Sequence, residues 1–275
     1  MQSIRLGDVR LAYEEEGRGD PLLLLHGFPL GRWIWDAQRR ALAARWRVIT
    51  PDLRGQGDSE VTDGPYDMGL LADDVMRLCD ALGLDRVVLG GLSLGGYVAF
   101  EIWRRYPARV RALLLCDTRA KPDDRGERVI RQSSAETALK KGTEAVVAAM
   151  LPKLLGRTTL STRPELCDAV RARLVATDPR GVAATLLGMM DRPDSTPTLP
   201  TITVPTLIVV GTEDALTGPA VAREMAEAIP NARIAEIDQA GHLTPVEQPE
   251  ATTAAFQRLL GDTQPPANGS GSRVF

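Results

Sequence analysis

One serine set between glycines, two histidines and a few carboxylates are the side chains here whose types and spacing could do covalent chemistry. Ser93 lies in Gly91-Leu92-Ser93-Leu94-Gly95, directly after the apolar run Val87-Val88-Leu89-Gly90 and just before Gly96-Tyr97-Val98-Ala99-Phe100. A strand, a sharp turn and a helix in that order lift a serine hydroxyl above a sheet edge. The flanking glycines let backbone approach closely, and the helix N-terminus supplies donors and positive potential. That is a setting for nucleophilic attack on a carbonyl. His242, in Ala240-Gly241-His242, comes last in the chain after a candidate strand and is the candidate base. His26, in His26-Gly27-Phe28-Pro29, follows the first apolar run and reads as a brace for its loop. The orienting acid is expected between serine and histidine. Asp214, in Gly211-Thr212-Glu213-Asp214, follows an apolar strand and is the first choice, with Glu213 and Asp117 as alternatives. Two backbone donors are expected to hold a developing oxyanion, the N–H groups of Leu94 and Phe28; Pro29 has none to offer.

These residues need a scaffold, and the pattern of apolar runs gives one. Residues 3–6 and 10–14 read as short strands around a Gly-Asp turn. Residues 21–25, 48–50, 87–89, 112–116 and 206–210 are unbroken apolar or β-branched runs, as expected of strands buried on both faces of a parallel sheet. Residues 233–237 form one more candidate strand. Helical periodicity at 67–82, 94–106, 219–229 and 249–260 alternates with them. The fold class is therefore α/β, a mostly parallel, doubly wound sheet. Residues 119–200 break the alternation with helical patterns at 145–155, 164–176 and 180–190. They read as a helical cap inserted into a core made of residues 1–118 and 201–260. Residues 261–275, rich in Gly, Pro, Ser and Asn, read as a disordered tail or an artificial extension.

Composition excludes several classes. The net charge is -3 with signs interspersed, so no basic footprint for nucleic acid exists. No apolar run is long enough for a signal peptide or a membrane span, and Cys79, Cys116 and Cys167 lack metal spacing. A cytoplasmic protein with free thiols, no metal and no cofactor is expected. The loop at residues 52–59, Asp-Leu-Arg-Gly-Gln-Gly-Asp-Ser, lacks the ending of a phosphate-binding loop and reads as a sharp turn held by Asp and Arg hydrogen bonds.

Taken together, His26-Gly27-Phe28-Pro29, the 52–59 loop, Gly91-Leu92-Ser93-Leu94-Gly95-Gly96, Gly211-Thr212-Glu213-Asp214 and Gly241-His242 resemble the α/β-hydrolase superfamily over residues 4–260. Within it, the stretches from His26 to Leu30 and from Gly91 to Tyr97 are similar to the esterase, enol-lactonase and cofactor-free haloperoxidase (perhydrolase) branch. Serine at the nucleophile position argues against the branches that attack with a carboxylate. The resemblance implies a serine hydrolase acting on a small-molecule ester or lactone through an acyl-enzyme, with perhydrolysis as a side activity. The alternative is a non-catalytic or single-turnover ligand-binding member of the same fold. Candidate pocket residues are Trp33, Trp35, Met150, Leu154, Met189 and Met190. Substrate identity and oligomeric state have no signature in the chain.

Overall fold

The computed structural model describes residues 1–263. Eight strands, β1 (Gln2–Leu6), β2 (Val9–Glu16), β3 (Asp20–Leu25), β4 (Trp46–Pro51), β5 (Val87–Leu92), β6 (Val110–Cys116), β7 (Thr206–Gly211) and β8 (Ala232–Ile237), form one sheet in the order β1-β2-β4-β3-β5-β6-β7-β8. The β1–β2 and β2–β4 pairings are antiparallel, and all the others are parallel.

The unbroken apolar runs have a direct physical reason. Side chains alternate across a strand, so a central strand covered on both faces must be apolar at every position. In β3, Leu23 and Leu25 enter the core on one face, while Leu22 and Leu24 enter the core on the other. The same split holds in β6, with Leu113 and Leu115 against Leu114 and Cys116, and in β7, with Ile208 and Val210 against Leu207 and Val209. Each fully buried leucine is worth about 1.5–3 kcal/mol relative to exposure. Cys79 and Cys116 are buried free thiols and Cys167 is half-buried.

Helices α2 (Met68–Ala81), α3 (Leu94–Arg105) and α9 (Pro219–Ala228) bury Val75, Phe100 and Met225 on the first face. Helices α1 (Asp36–Leu42) and α11 (Pro249–Thr263), the latter preceded by the single turn α10 (Thr244–Glu247), bury Leu42 and Phe256 on the second. Helix α2 keeps the limits its sequence suggests. The Asp67 side chain accepts the Leu70 N–H at 2.8 Å, and Gly83 takes φ +66° just past its end.

Between β6 and β7 the chain runs through α4 (Arg125–Lys141), α5 (Thr143–Leu154), α6 (Arg157–Thr162), α7 (Pro164–Val175) and α8 (Pro179–Met190). Helix α4 has no counterpart in the apolar periodicity of the sequence. It is polar on most of its surface, and only Ala135 and Ala138 are buried. Its start is set by a capping box in which Asp124 and Glu127 each bond the other's backbone N–H. Helix α11 continues to Thr263, beyond the expected boundary at 261. Residues 264–275 of the expected tail lie outside the described residues.

Candidate active site

Ser93 occupies the turn between β5 and α3 with φ 52° and ψ −109°, a conformation that L-residues rarely adopt. The surrounding structure holds it there. Its N–H donates to Cys116 O at 2.9 Å, and its carbonyl accepts from Gly96 N, Tyr97 N and the Thr118 hydroxyl. The glycines are a steric requirement. A Cβ on Gly91 would stand 2.2 Å from Gly95 O, and one on Gly95 would stand 2.4 Å from Leu25 O. The turn therefore forms only where strand, turn and helix backbones can nearly touch. The N–H groups of Leu94 and Phe28 donate to no protein acceptor among the described residues.

His242 lies on the loop after β8, almost fully buried. Its N–H donates to Leu154 O at 3.0 Å, and its ring Nδ1 lies 2.9 Å from Asp214 Oδ2. Asp214 follows β7 and is fixed in turn. Leu216 N and Thr217 N donate to Oδ1, and the Thr217 hydroxyl donates to Oδ2 at 2.7 Å. Burial alone would raise the Asp214 pKa, but the charge and hydrogen bond of His242, with the Thr217 and Leu216 donors, bring it to about 2. An ionised carboxylate only accepts. Nδ1 must therefore carry the ring proton, which leaves Nε2 free to take another. For His242, burial disfavours the charged form, yet the Asp214 charge and hydrogen bond outweigh it and raise its pKa.

The alternative carboxylates are engaged elsewhere. Asp117 Oδ1 accepts from Gly211 N at 2.9 Å and Oδ2 from the Thr244 hydroxyl at 2.6 Å. Burial, reinforced by the nearby Asp214 charge, pushes its pKa well up. Glu213 turns toward α6, where it accepts from Thr158 N, the Thr158 hydroxyl and Arg157. His26 is fully buried. Its Nε2 accepts from Leu53 N at 2.9 Å and its Nδ1 lies 2.7 Å from Gly27 O, so it ties the loop after β3 to the loop after β4. In that second loop Arg54 bonds both oxygens of Asp74, and Asp52 accepts from Asp58 N and Arg32 N. A loop held by Asp and Arg is what its sequence suggested.

Ser93, His242, Thr217 and Phe28 line one cavity of about 520 Å³. Of the pocket candidates, Met150, Leu154 and Met189 line this cavity. Three other pocket candidates do not. Trp35 is fully buried and packs on Phe256 with ring centroids 6.0 Å apart, a core role that its size alone could not distinguish from a ligand contact. Trp33 faces a different depression, where the Arg173 guanidinium lies 5.2 Å from its ring centroid. Met190 comes one residue after Met189, and a step of about 100° around the helix turns it off the cavity wall. Tyr97, Arg119, Arg131 and Leu186 also line the cavity and were not singled out by sequence. Tyr97 and Leu186 carry ordinary helix periodicity; the two arginines carry no pattern at all.

Glu247 was missed as well. It is fully buried, and its Oε1 accepts from Gly241 N and Leu243 N, on either side of His242. Its Oε2 accepts from Gly156 N and the Thr159 hydroxyl, so one carboxylate joins the histidine loop to α6. Its only trace in the sequence is a carboxylate five residues after the histidine. Among the described residues no group of His, Cys, Asp and Glu could hold a metal ion, and no helix is long and apolar enough to cross a membrane.

Comparison with known proteins gives the family. Residues 20–249 match the family described as alpha/beta hydrolase fold. A thermophilic esterase from Thermogutta terrifontis, solved with malate bound, superposes with a TM-score of 0.94 at 43% identity, covering 96% of this chain and 100% of that one. The enol-lactonase from Burkholderia xenovorans LB400 superposes with a TM-score of 0.88 at 30% identity, covering 94% and 100%. A protein of Azorhizobium caulinodans provisionally named a carbamate hydrolase is 32% identical over 259 residues, 93% of this chain and 97% of that protein. The strand order, the turn that carries Ser93 and these matches together place the chain in the α/β-hydrolase family, as a hydrolase of the esterase and enol-lactonase branch.

Proposed function

We propose that the protein is a serine hydrolase that cleaves a carboxylic ester or lactone through an acyl-enzyme. The observation that carries this reading is the pairing of two fixed features on one cavity. One is a strained, backbone-anchored Ser93; the other is a buried His242 whose Nδ1 is committed to Asp214. Ser93 Oγ attacks the carbonyl carbon while His242 Nε2 takes its proton. Asp214 holds the tautomer and stabilises the imidazolium. The Phe28 and Leu94 N–H groups receive the oxyanion, and α3 aims its positive end at the same place. The proton on Nε2 then passes to the leaving alkoxide, and the same nitrogen activates the water that releases the acid. Helices α4 to α8 serve as a cap whose inner side shapes the acyl or alcohol pocket, through Met150, Leu154 and Met189. A cavity of about 520 Å³ suits a small or medium substrate.

Peracid formation belongs to this proposal as a side activity. Pro29 restricts the backbone of Phe28, and hydrogen peroxide can replace water in attacking the acyl-enzyme. The test is multiple turnover of short p-nitrophenyl esters and small lactones by wild type and Ser93→Ala, run with and without peroxide. The wild type is expected to turn over repeatedly, and the variant to lose at least about three orders of magnitude. Equal rates for the two proteins would overturn the reading, and peracid formation surviving in Ser93→Ala would remove the side activity from it.

A further inference from the structure

The cavity that holds Ser93 is charged on one side. The wall built by α4, α5 and the segment just after β6 presents Arg119, Arg131 and Lys153 against a single lining carboxylate, Glu127. Behind that wall lies Asp123, with no exposed side-chain surface, which accepts from Arg119, Arg131 and Arg192. Burial opposes its ionisation, but Arg131 and Arg192 hold its pKa below the usual carboxylate range. Arg119 is shared between Asp123 at 2.8 Å and Glu127 at 2.7 Å. Arg192 stacks over the Tyr97 ring, 4.2 Å from its centroid, and Tyr97 itself lines the cavity. Four cations thus meet two carboxylates, an excess of two positive charges.

Two of the cations have donors to spare. Arg131 spends Nε and Nη2 on Asp123, but its Nη1 finds only the thioether of Met189, at 3.5 Å. A thioether is a weak acceptor for a guanidinium, and Met189 is a lining residue of the same cavity. The Lys153 ammonium, at the exposed rim, makes no ion pair or hydrogen bond with protein among the described residues. The Asp123 hub fixes the Arg131 side chain from behind, so little ordering remains to be done when a ligand arrives. A guanidinium held in this way favours a planar anion.

We propose that this wall is a carboxylate subsite. The substrate is an ester or lactone that carries a second, free carboxylate, held by Arg131 with Lys153 at the rim while the scissile carbonyl meets Ser93. A half-ester and water then give a dicarboxylate and an alcohol, with no other reactant. This inference rests on the hydrolase reading above, and the experiment separates the two.

The kinetic arm compares p-nitrophenyl hemiglutarate with an uncharged ester of matched length, in wild type and Arg131→Gln. The wild type favours the anionic ester in kcat/KM by roughly tenfold to a hundredfold, chiefly through KM, and added salt erodes the preference. The preference collapses in Arg131→Gln and shrinks in Lys153→Gln, a rim substitution that avoids the Asp123 hub and so guards against misfolding of the first variant. The binding arm titrates glutarate into Ser93→Ala, with and without Arg131→Gln, and needs no turnover. Saturable binding that weakens at least about tenfold on loss of Arg131 supports the subsite even if no ester is cleaved. Overturning results are a wild type that prefers the neutral ester, a preference that survives in Arg131→Gln and Lys153→Gln, or glutarate affinity indifferent to Arg131.

Discussion

At the scale of single residues, the site is a set of commitments that leave one atom free. Asp214 spends Oδ1 on two backbone donors and Oδ2 on Thr217 and His242, so the carboxylate cannot rotate away from the ring. Replacing Asp214 by Asn puts an amide N–H or a neutral oxygen where Nδ1–H needs an anion. We expect a fall in kcat of about four orders of magnitude with the fold intact. Asp117→Asn should be mild by comparison, because neither Asp117 oxygen bonds the His242 ring. Steady-state rates of the two variants check this, and a crippled Asp117→Asn beside a nearly silent Asp214→Asn would reassign the acid. The pH profile follows from the same contacts. As the proposed base, His242 can take a proton only when neutral, and its pKa is raised. The acid limb of kcat/KM should therefore lie above the ordinary histidine value of about 6.5. In Asp214→Asn, with the anion gone, any residual activity should show that limb at lower pH.

At the scale of elements, the loops that carry Asp214 and His242 are tied to α5 and α6 as well as to the sheet. Glu213 binds the first turn of α6, Leu154 O at the end of α5 receives the His242 N–H, and Glu247 bridges residues 156 and 159 to residues 241 and 243. Burial raises the Glu247 pKa, but Thr159 and three backbone donors oppose that rise. Glu247→Ala would leave the N–H groups of Gly156, Gly241 and Leu243 buried without an acceptor. Each such group costs about 1–3 kcal/mol, so a loss of about 3 kcal/mol or more is expected. For a chain of this size that lowers Tm by about 6 °C or more. Thermal denaturation reads the stability, and the rate should fall with it because the His242 loop loses its anchor. A silent Glu247→Ala would mean that the loop is held by the sheet alone.

At the scale of the whole molecule, acid stability is set by two opposed groups of carboxylates. Asp214, at about 2, and Asp73, Asp123, Asp178 and Glu213, all lowered, bind protons less readily in the folded chain than unfolded. Their contribution is fully present above the unfolded pKa of about 4 and is lost as pH falls through the folded values. Asp117 and Glu247 are raised and act in the other sense. Their contribution is present below about 4 and is lost as pH rises toward their folded values. Tm should therefore drop steeply between about pH 4 and 2. Asp117→Asn should gain on wild type as pH rises above about 4, because the folded chain no longer has to hold that carboxyl against its tendency to ionise. Melting curves across pH for the two proteins test both signs, and a constant difference between them would show that Asp117 ionises freely in the folded state.

By itself the sequence determined the sheet, its direction and the turn that carries Ser93. Those depend on local rules: apolar runs for strands covered on both faces, glycine where backbones must nearly touch, and periodicity for helices such as α2. It also placed His242 and Asp214 on loops at the same sheet edge, because successive parallel strands end there. Only the tertiary structure decided which carboxylate bonds the imidazole, since Asp117, Glu213 and Asp214 all follow strands and differ only in where their side chains turn. It alone separated Met189 from Met190 and sent Trp35 into the core, because facing a cavity is a property of packing and not of residue type. Helix α4, whose buried residues are two alanines, Ala135 and Ala138, left no apolar periodic signal to read. The cluster of Arg119, Asp123, Arg131 and Arg192 spans more than seventy residues of chain, and it exists only because α4 and the end of α8 fold back onto one wall of the cavity.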